Sequence, residues 1–526
     1  MAKVLVADPL HKVGQELLLQ EAEVEIATGL SEDALISRIA EYDGLVVRSE
    51  TQVTKAVLQA GINLKVVARA GVGVDNIDLE AATDLGIAVV NAPTGNTVAA
   101  AEHTVALLLA LARNIPQSYQ SLQSREWSRS QFIGVEVRHK VLGVAGLGKV
   151  GTEVARRARG LEMKVVGYDP FVSQEYANRL GVDLVTKEEL LAQADFLTLH
   201  LPFTPTTENF LDADSLKLVK YGVRILNVAR GGLVQDEDLL EALNEERVAG
   251  AGLDVFQSEP PSDYQLIDHP RVIATPHLGA STHEAQEEVA REAVEQLIMV
   301  LRGEPAPYTV NASFAPPRPE GVLQAYVGLA SLVGKLAVQL SRGQLSGLTI
   351  RYQGDIANED TSILKASSLV GVLEEVSSEK VNLVNAHLVA ERRGLRILEE
   401  KISGDSESYG NLITVEIHTD SGPIMVTGTM LRNQLRIVRI DDYWVDIDPS
   451  NNYLLVTRHQ DQPGLIGAVG TVAGECGINI SFMEVGRQAP RGKAMMIIGL
   501  DDKLDKEALD KIRDIPFIDE VSLVTL

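Results

Sequence analysis

The sequence predicts an α/β protein: two Rossmann-like or flavodoxin-like parallel-sheet domains, then an α+β region, then a ferredoxin-like βαββαβ unit. Three observations support this. Residues 1 to about 95 alternate short apolar runs with helical patterns, the way strands of a parallel sheet are connected. The stretch from Lys140 to Pro170 reads as strand, glycine turn, helix and second strand. From Tyr453 onward the order is strand, helix, strand, strand, helix, strand.

At 526 residues the chain is too long for one hydrophobic core, so three or more domains are expected. Lys+Arg number 48 against 73 Asp+Glu, a formal charge of −25, which repels nucleic acid and anionic membrane and leaves an anionic ligand in need of a local basic pocket. The one cysteine, Cys476, excludes an internal disulfide and a cysteine-based metal cluster. The chain begins directly on a strand pattern, and no run reaches the ~18 apolar residues of a membrane span, so a cytoplasmic protein is expected.

In the first unit, strands are expected near 3–7, 24–27, 44–47, 64–68 and 87–90. Their ends deliver Arg48 and the run Arg69-Ala70-Gly71-Val72-Gly73 to the edge where open α/β sheets bind ligands. Each arginine alone reads equally well as a solvated loop charge. Thr97 to Arg113, rich in alanine and leucine, is expected as a long buried helix joining two domains, with His103 a packed histidine rather than a ligand. Residues 114–139 read as polar and irregular.

The glycine turn Gly146-Leu147-Gly148-Lys149-Val150-Gly151 opens the second unit. Gly146 allows the tight turn, Gly148 lets backbone approach a pyrophosphate, and Gly151 lets helix and strand pack closely. Asp169 stands where a carboxylate meets the adenosine ribose hydroxyls, with Pro170 rather than a basic residue after it, which favours NAD over NADP. Four later strands, near 196–199, 223–228, 250–255 and 272–275, end in polar or glycine residues at the same edge. Ser281 reads as the cap of a helix reaching Leu301. The proline-rich segment from Gly303 to Pro319 reads as a linker. Beyond it, residues 321–449 show one apolar helix and four strands with no recognisable catalytic constellation.

Arg230, Glu259 and His277 lie on three strand-end loops around one expected nicotinamide site. Oxidising a 2-hydroxy acid removes a hydride from carbon and a proton from oxygen, and a dinucleotide takes only the hydride. A histidine, with an unperturbed pKa near 6.5, suits the base, a carboxylate beside it orients the ring, and an arginine forks onto the substrate carboxylate.

These residues carry a resemblance. The turn from Val144 to Gly151, Asn227-Val228-Ala229-Arg230-Gly231-Gly232, Leu253-Asp254-Val255-Phe256 with Glu259-Pro260-Pro261, and Pro276-His277-Leu278-Gly279-Ala280 closely resemble the D-2-hydroxyacid dehydrogenases. The run from Arg69 to Asn76 and the long C-terminal extension resemble the branch of that family that acts on D-3-phosphoglycerate and ends in an ACT domain. The resemblance implies a substrate-binding domain at 1–95 plus 286–310, an NAD-binding domain at 96–285, an intervening domain at 311–449 and an ACT domain at 450–526. It makes Glu259 and His277 the acid/base pair, Arg230 the substrate binder, and Arg48, Arg69, Gly71, Val72 and Arg129 further holders of substrate. It lines the cofactor with Val72, Leu201, Val228, Ala229, Asp254, His277, Gly279 and Ala280 beside the glycine turn. It also implies L-serine as a candidate effector between subunits at His459, Asp461 and Asn479, and a homotetramer or dimer. Some serine-regulated relatives have asparagine where this chain has Asp461. Three other readings keep the same motifs: a hydroxypyruvate or glyoxylate reductase, a dehydrogenase of a non-phosphorylated 2-hydroxy acid, and an NAD-sensing corepressor or scaffold that binds without turnover.

Overall fold

The computed structural model of the chain describes residues 1–312, 322–377, 379–404, 409–449 and 453–526. The first sheet has five parallel strands, Ala2–Val6, Ala22–Ile26, Gly44–Val47, Val66–Arg69 and Ala88–Asn91. Counted along the chain their order is 2-1-3-4-5, the flavodoxin-like order. Central strands such as Gly44–Val47 are buried throughout, because helices cover both faces and every position meets core. One covering helix comes from far along the chain: Val289, Ala290, Ala293, Val294 and Leu297 of His283–Leu301 share a core with Val4, Val6 and Val66.

That helix is capped by Thr282, not by Ser281 as expected: the Thr282 hydroxyl accepts from the Ala285 amide at 3.1 Å. Ser281 lies one residue too early, its own amide closing a turn onto the Leu278 carbonyl. The linker expectation also needs correction. The Asn311 side chain accepts from the Val89 amide at 2.8 Å and donates to the Ile87 carbonyl at 2.9 Å, and Thr309 bridges Val90. Residues 304–311 therefore cover the open edge of the first sheet, supplying partners that an edge strand lacks. The expected linker residues Pro316, Pro317 and Pro319 lie outside the described residues.

The second sheet has seven parallel strands: Val141–Ala145, Lys164–Tyr168, Asp183–Leu184, Phe196–Leu199, Val223–Asn227, Val248–Leu253 and Val272–Ala274. Their order, again along the chain, is 3-2-1-4-5-6-7, and the reversal beside the first strand is where such sheets bind dinucleotides. Helix Thr97–Arg113 packs on it through Leu107, Leu108 and Leu111. The stretch expected to be irregular instead holds helix Ile115–Gln123 and a 3-10 turn, Arg129–Phe132. Ile115, Tyr119 and Leu122 have the i, i+4, i+7 spacing of a helical face, but this face points outward, so it adds nothing to this chain's core.

The third sheet has six strands in the order 2-1-3-4-5-6, the first two parallel and the rest antiparallel. The helices Val322–Leu340 and Ser362–Glu374 pack on it and on each other. Helix Ser362–Glu374, helix Ala386–Arg392 and strands Arg396–Ile402 and Tyr443–Ile447 were not expected from the sequence. Val322–Leu340 is long and apolar enough to cross a membrane by composition, yet its Leu329, Ala330, Val333 and Leu336 are fully buried in this core. The last sheet is antiparallel, Tyr453–Gln460, Ile480–Arg487, Lys493–Leu500 and Ile518–Thr525, in the order 2-3-1-4 of a βαββαβ unit. One face carries helices Leu465–Glu475 and Lys506–Arg513. Leu454, Val456, Met495, Ile497 and Val524 on the other face join the core around Val322–Leu340. The third and fourth sheets thus share one core.

Candidate active site

The ends of the first two sheets face each other across a cleft of about 1410 Å³. On the second sheet the glycine turn follows strand Val141–Ala145, beyond the residues that line this cleft. Gly146 has φ +94°, the left-handed region open to glycine, and an added Cβ there would meet the His200 carbonyl oxygen at 2.5 Å. A Cβ at Gly151 would collide with the Gly146 carbonyl oxygen, and one at Gly148 would meet nothing within 4 Å. Gly148 caps helix Lys149–Gly160 without any side chain, so the first amides of that helix face open space. A pyrophosphate fits such a cradle. Val150 follows in the first turn of that helix, and Lys149 reaches the ring of Tyr308, 5.7 Å from its centroid. Asp169 accepts from the Leu147 amide at 2.9 Å and from the Phe171 amide at 2.9 Å, so it shapes the glycine turn. Leu201 is buried beside Gly146, and Val228 lies against Gly279.

Glu259 and His277 meet: Nδ1 of His277 is 2.6 Å from the Glu259 carboxylate, whose other oxygen accepts from the Phe256 amide at 3.1 Å. Burial works to raise the Glu259 pKa, but the hydrogen bond and charge of His277 outweigh it and hold the carboxyl below its ordinary range. His277 sits at φ +54°, an unfavourable conformation for a side chain, and Asp254 secures it. The Asp254 carbonyl accepts from the His277 amide at 2.9 Å. Its buried carboxylate takes the Thr275 hydroxyl at 2.6 Å and the Leu278 and Gly279 amides at 2.7 and 2.8 Å. Ala280 follows on the cleft lining. Asp254 also pairs with His103 at 3.2 Å. His103 is therefore more than packing: it ties helix Thr97–Arg113 to the loop that carries His277, a link sequence distance hid.

Across the cleft, Arg69 has its Nε buried and without a partner. Burial, reinforced by the charge of Arg230, pushes its pKa down to about 10, so it remains a cation at neutral pH. Arg48 is positioned by Asp8, which accepts from its amide at 2.5 Å, and by Asn76, which donates to its carbonyl at 2.8 Å. Asp8 and Asn76 were not singled out as functional in the sequence, although Asp8 stands at a strand end like the others. The Gly71 amide is already given to the Arg69 carbonyl at 2.8 Å, which leaves Val72 rather than Gly71 to offer a backbone donor. Arg230 reaches the cleft with its Nε 3.3 Å from Asp75. Arg129 is exposed at the start of the 3-10 turn and does not line the cleft of its own chain.

The expected effector residues do not converge within one chain. His459 is buried at the end of its strand and paired with Ala494, which also pairs with Arg487. Asn479 precedes Ile480, at the opposite end of the sheet. Strand Tyr453–Gln460 has 8 residues, so the two ends are roughly 25 Å apart. Asp461 accepts from the Arg491 amide at 3.1 Å, and Asn479 donates to Asp501 at 2.8 Å.

A dinucleotide turn, a histidine–carboxylate pair and arginines facing them across a cleft define an NAD-dependent dehydrogenase of 2-hydroxy acids. Residues 105–279 match the model of the D-isomer specific 2-hydroxyacid dehydrogenase NAD-binding domain, and 322–441 match the D-3-phosphoglycerate dehydrogenase intervening domain. The chain is 44% identical to the D-3-phosphoglycerate dehydrogenase of Synechocystis over 100% of this chain and 95% of that protein. It is 42% identical to that of Methanocaldococcus jannaschii over 100% of both. The D-lactate dehydrogenase of Aquifex aeolicus, solved with NAD and lactic acid, matches 57% of this chain and 96% of its own, with TM-score 0.53 and 26% identity. The chain belongs to the D-3-phosphoglycerate dehydrogenase family.

Proposed function

We propose that the chain oxidises D-3-phosphoglycerate to 3-phosphohydroxypyruvate with NAD, the entry step to L-serine, in the cleft between its two parallel sheets. The observation that carries this is the Glu259–His277 pair at 2.6 Å facing the arginine-lined wall. Bound NAD supplies the hydride acceptor. With Nδ1 of His277 committed to Glu259, its Nε2 is left to take the proton from the substrate hydroxyl. Glu259 holds the ring in that orientation and balances the imidazolium charge. Arg230 receives the carboxylate and turns the reacting carbon towards the nicotinamide. Arg69 and Arg48 hold the phosphate, which supports a phosphorylated substrate over glyoxylate or hydroxypyruvate. NADH formation at 340 nm with a panel of 2-hydroxy acids tests the assignment, and turnover no better on the phosphorylated acid than on its dephosphorylated analogue would overturn it. Arg69→Gln is expected to raise KM for D-3-phosphoglycerate roughly 10- to 100-fold, the worth of charge-assisted hydrogen bonds, and to change KM for the dephosphorylated acid far less.

The proposal extends to organisation. The first sheet with 286–310 binds substrate, 96–285 binds NAD, and the 311–449 and 450–526 regions regulate, a division supported by the core the last two sheets share. A homo-oligomer is supported by the outward apolar face of Ile115, Tyr119 and Leu122 and by exposed Trp127 and Ile133. Serine binding at His459 and Asp461 with Asn479 requires a second copy, because one chain holds these residues at opposite ends of a sheet. Saturating L-serine is expected to lower the rate and to stabilise the oligomer in sedimentation. Neither binding nor a rate change would remove this part. The net charge of −25 supports a cytoplasmic enzyme without nucleic acid or anionic membrane as a partner.

A further inference from the structure

Arg230 is the residue proposed to receive the substrate's carboxylate, and in this structure a carboxylate already touches it. Its Nε lies 3.3 Å from Oδ2 of Asp75. Asp75 follows strand Val66–Arg69 of the first sheet, and Arg230 follows strand Val223–Asn227 of the second, so the pair spans the cleft between the two sheets. The fit is close. A Cβ at Gly73 would collide with the Arg230 guanidinium and would stand 2.9 Å from Asp75 Oδ2, so glycine leaves the room this contact needs. Asp75 also acts on the Arg69 guanidinium, opposing the depression that Arg230 imposes there. Its side chain is nonetheless 70% exposed, against 30% for Arg230, so it is not a buried structural counter-ion.

We propose that Asp75 is a built-in stand-in for the substrate carboxylate: it holds Arg230 until a 2-hydroxy acid binds and displaces it. This rests on the reading of Arg230 as the carboxylate holder. Nη1 of Arg230 already donates to the Ala229 carbonyl at 2.7 Å, so the edge left for a bidentate carboxylate is Nε with Nη2, and Asp75 stands on that Nε. Exchange of one carboxylate for another keeps the charge around Arg230 constant, so the cation is never left without an anion. A ligand without a carboxylate gains nothing from the exchange, and Asp75 thereby adds selectivity for acids as well as competing with them. The competition is mild, because an exposed pair with a single contact at this distance is weak.

The test is Asp75→Asn, which keeps the side chain's shape and removes its charge. KM for D-3-phosphoglycerate is expected to fall about 2- to 5-fold, the range spanned by exposed ion pairs, with the gain in KM rather than kcat. The inhibition constant of oxalate, a dicarboxylate with no hydroxyl-bearing carbon to oxidise, should fall in step, which reads Arg230 without turnover. Asp75→Glu should stay nearer the wild type than Asp75→Asn, and NAD affinity by fluorescence verifies that each variant is folded. An unchanged KM, or a KM that rises because Asp75 was orienting Arg230, overturns the inference. Arg230→Ala, measured alongside, separates the two levels: if it raises KM while Asp75→Asn does not lower it, only the stand-in role fails. If Arg230→Ala leaves KM unchanged, the reading of Arg230 has itself failed.

Discussion

His277→Ala is expected to lower kcat for D-3-phosphoglycerate by about 10²- to 10⁴-fold, the contribution of a positioned general base, while NAD affinity changes little. The large effect follows from geometry. Among the described residues no other histidine lining the cleft has a ring nitrogen within 2.6 Å of a carboxylate. Asp254, buried and holding three donors from the same loop, fixes where the imidazole stands. Glu259→Gln should give a smaller loss, since the Asp254 carbonyl keeps the His277 backbone in place while the ring loses the anion that orients it and balances its charge. Because the Glu259 carboxyl is held below its ordinary value of 4.5, the pair's contribution is present at neutral pH and is lost as pH falls through that lowered value. The thermal midpoints of wild type and Glu259→Gln should therefore differ near pH 7 and converge in acid. Full activity of His277→Ala would remove the acid/base assignment.

Gly151→Ala is expected to weaken NAD binding roughly 5- to 150-fold, the equivalent of about 1–3 kcal/mol of overpacking. The added methyl would run into the carbonyl oxygen of Gly146, which is backbone and cannot rotate away. Relief requires the turn to open or helix Lys149–Gly160 to move off its strand, and either motion withdraws the helix's first amides from the pyrophosphate position. Gly148→Ala is the informative comparison. Its methyl meets nothing within 4 Å in the protein, so the chain should fold normally and the loss should appear only when the dinucleotide is added. Calorimetric titration with NAD beside thermal unfolding without it separates the two. Equal NAD affinity in all three proteins would exclude this turn as the cofactor site.

Much of the architecture was legible in sequence because it is built from local patterns. The apolar runs of both parallel sheets, helix Thr97–Arg113 and the βαββαβ order recur in the structure within a few residues of where periodicity placed them. Other parts were not legible, and each has a physical reason. Helix Ile115–Gln123 carries its apolar residues outward, where amphipathicity and core no longer coincide. Residues 304–311 look like a linker because their prolines cannot build an element, yet they pair with an edge strand through the Asn311 side chain. His103 gave a local signal of packing only, since its partner Asp254 is 151 positions away.

The sequence by itself determined which chemical groups exist and at which strand ends they emerge: a glycine turn for a dinucleotide, a histidine, a carboxylate, and arginines on two sheets. Strand and helix periods and glycine's special conformations are local properties, so they survive being read one segment at a time. The tertiary structure alone decided which of those groups meet. It joined Glu259 to His277, placed His103 behind Asp254, set Asp75 on Arg230, left Arg129 outside its own chain's cleft and separated His459 from Asn479. The reason is that such meetings depend on strand order and domain packing, which bring together residues tens to hundreds of positions apart, and local spacing carries no record of those distances.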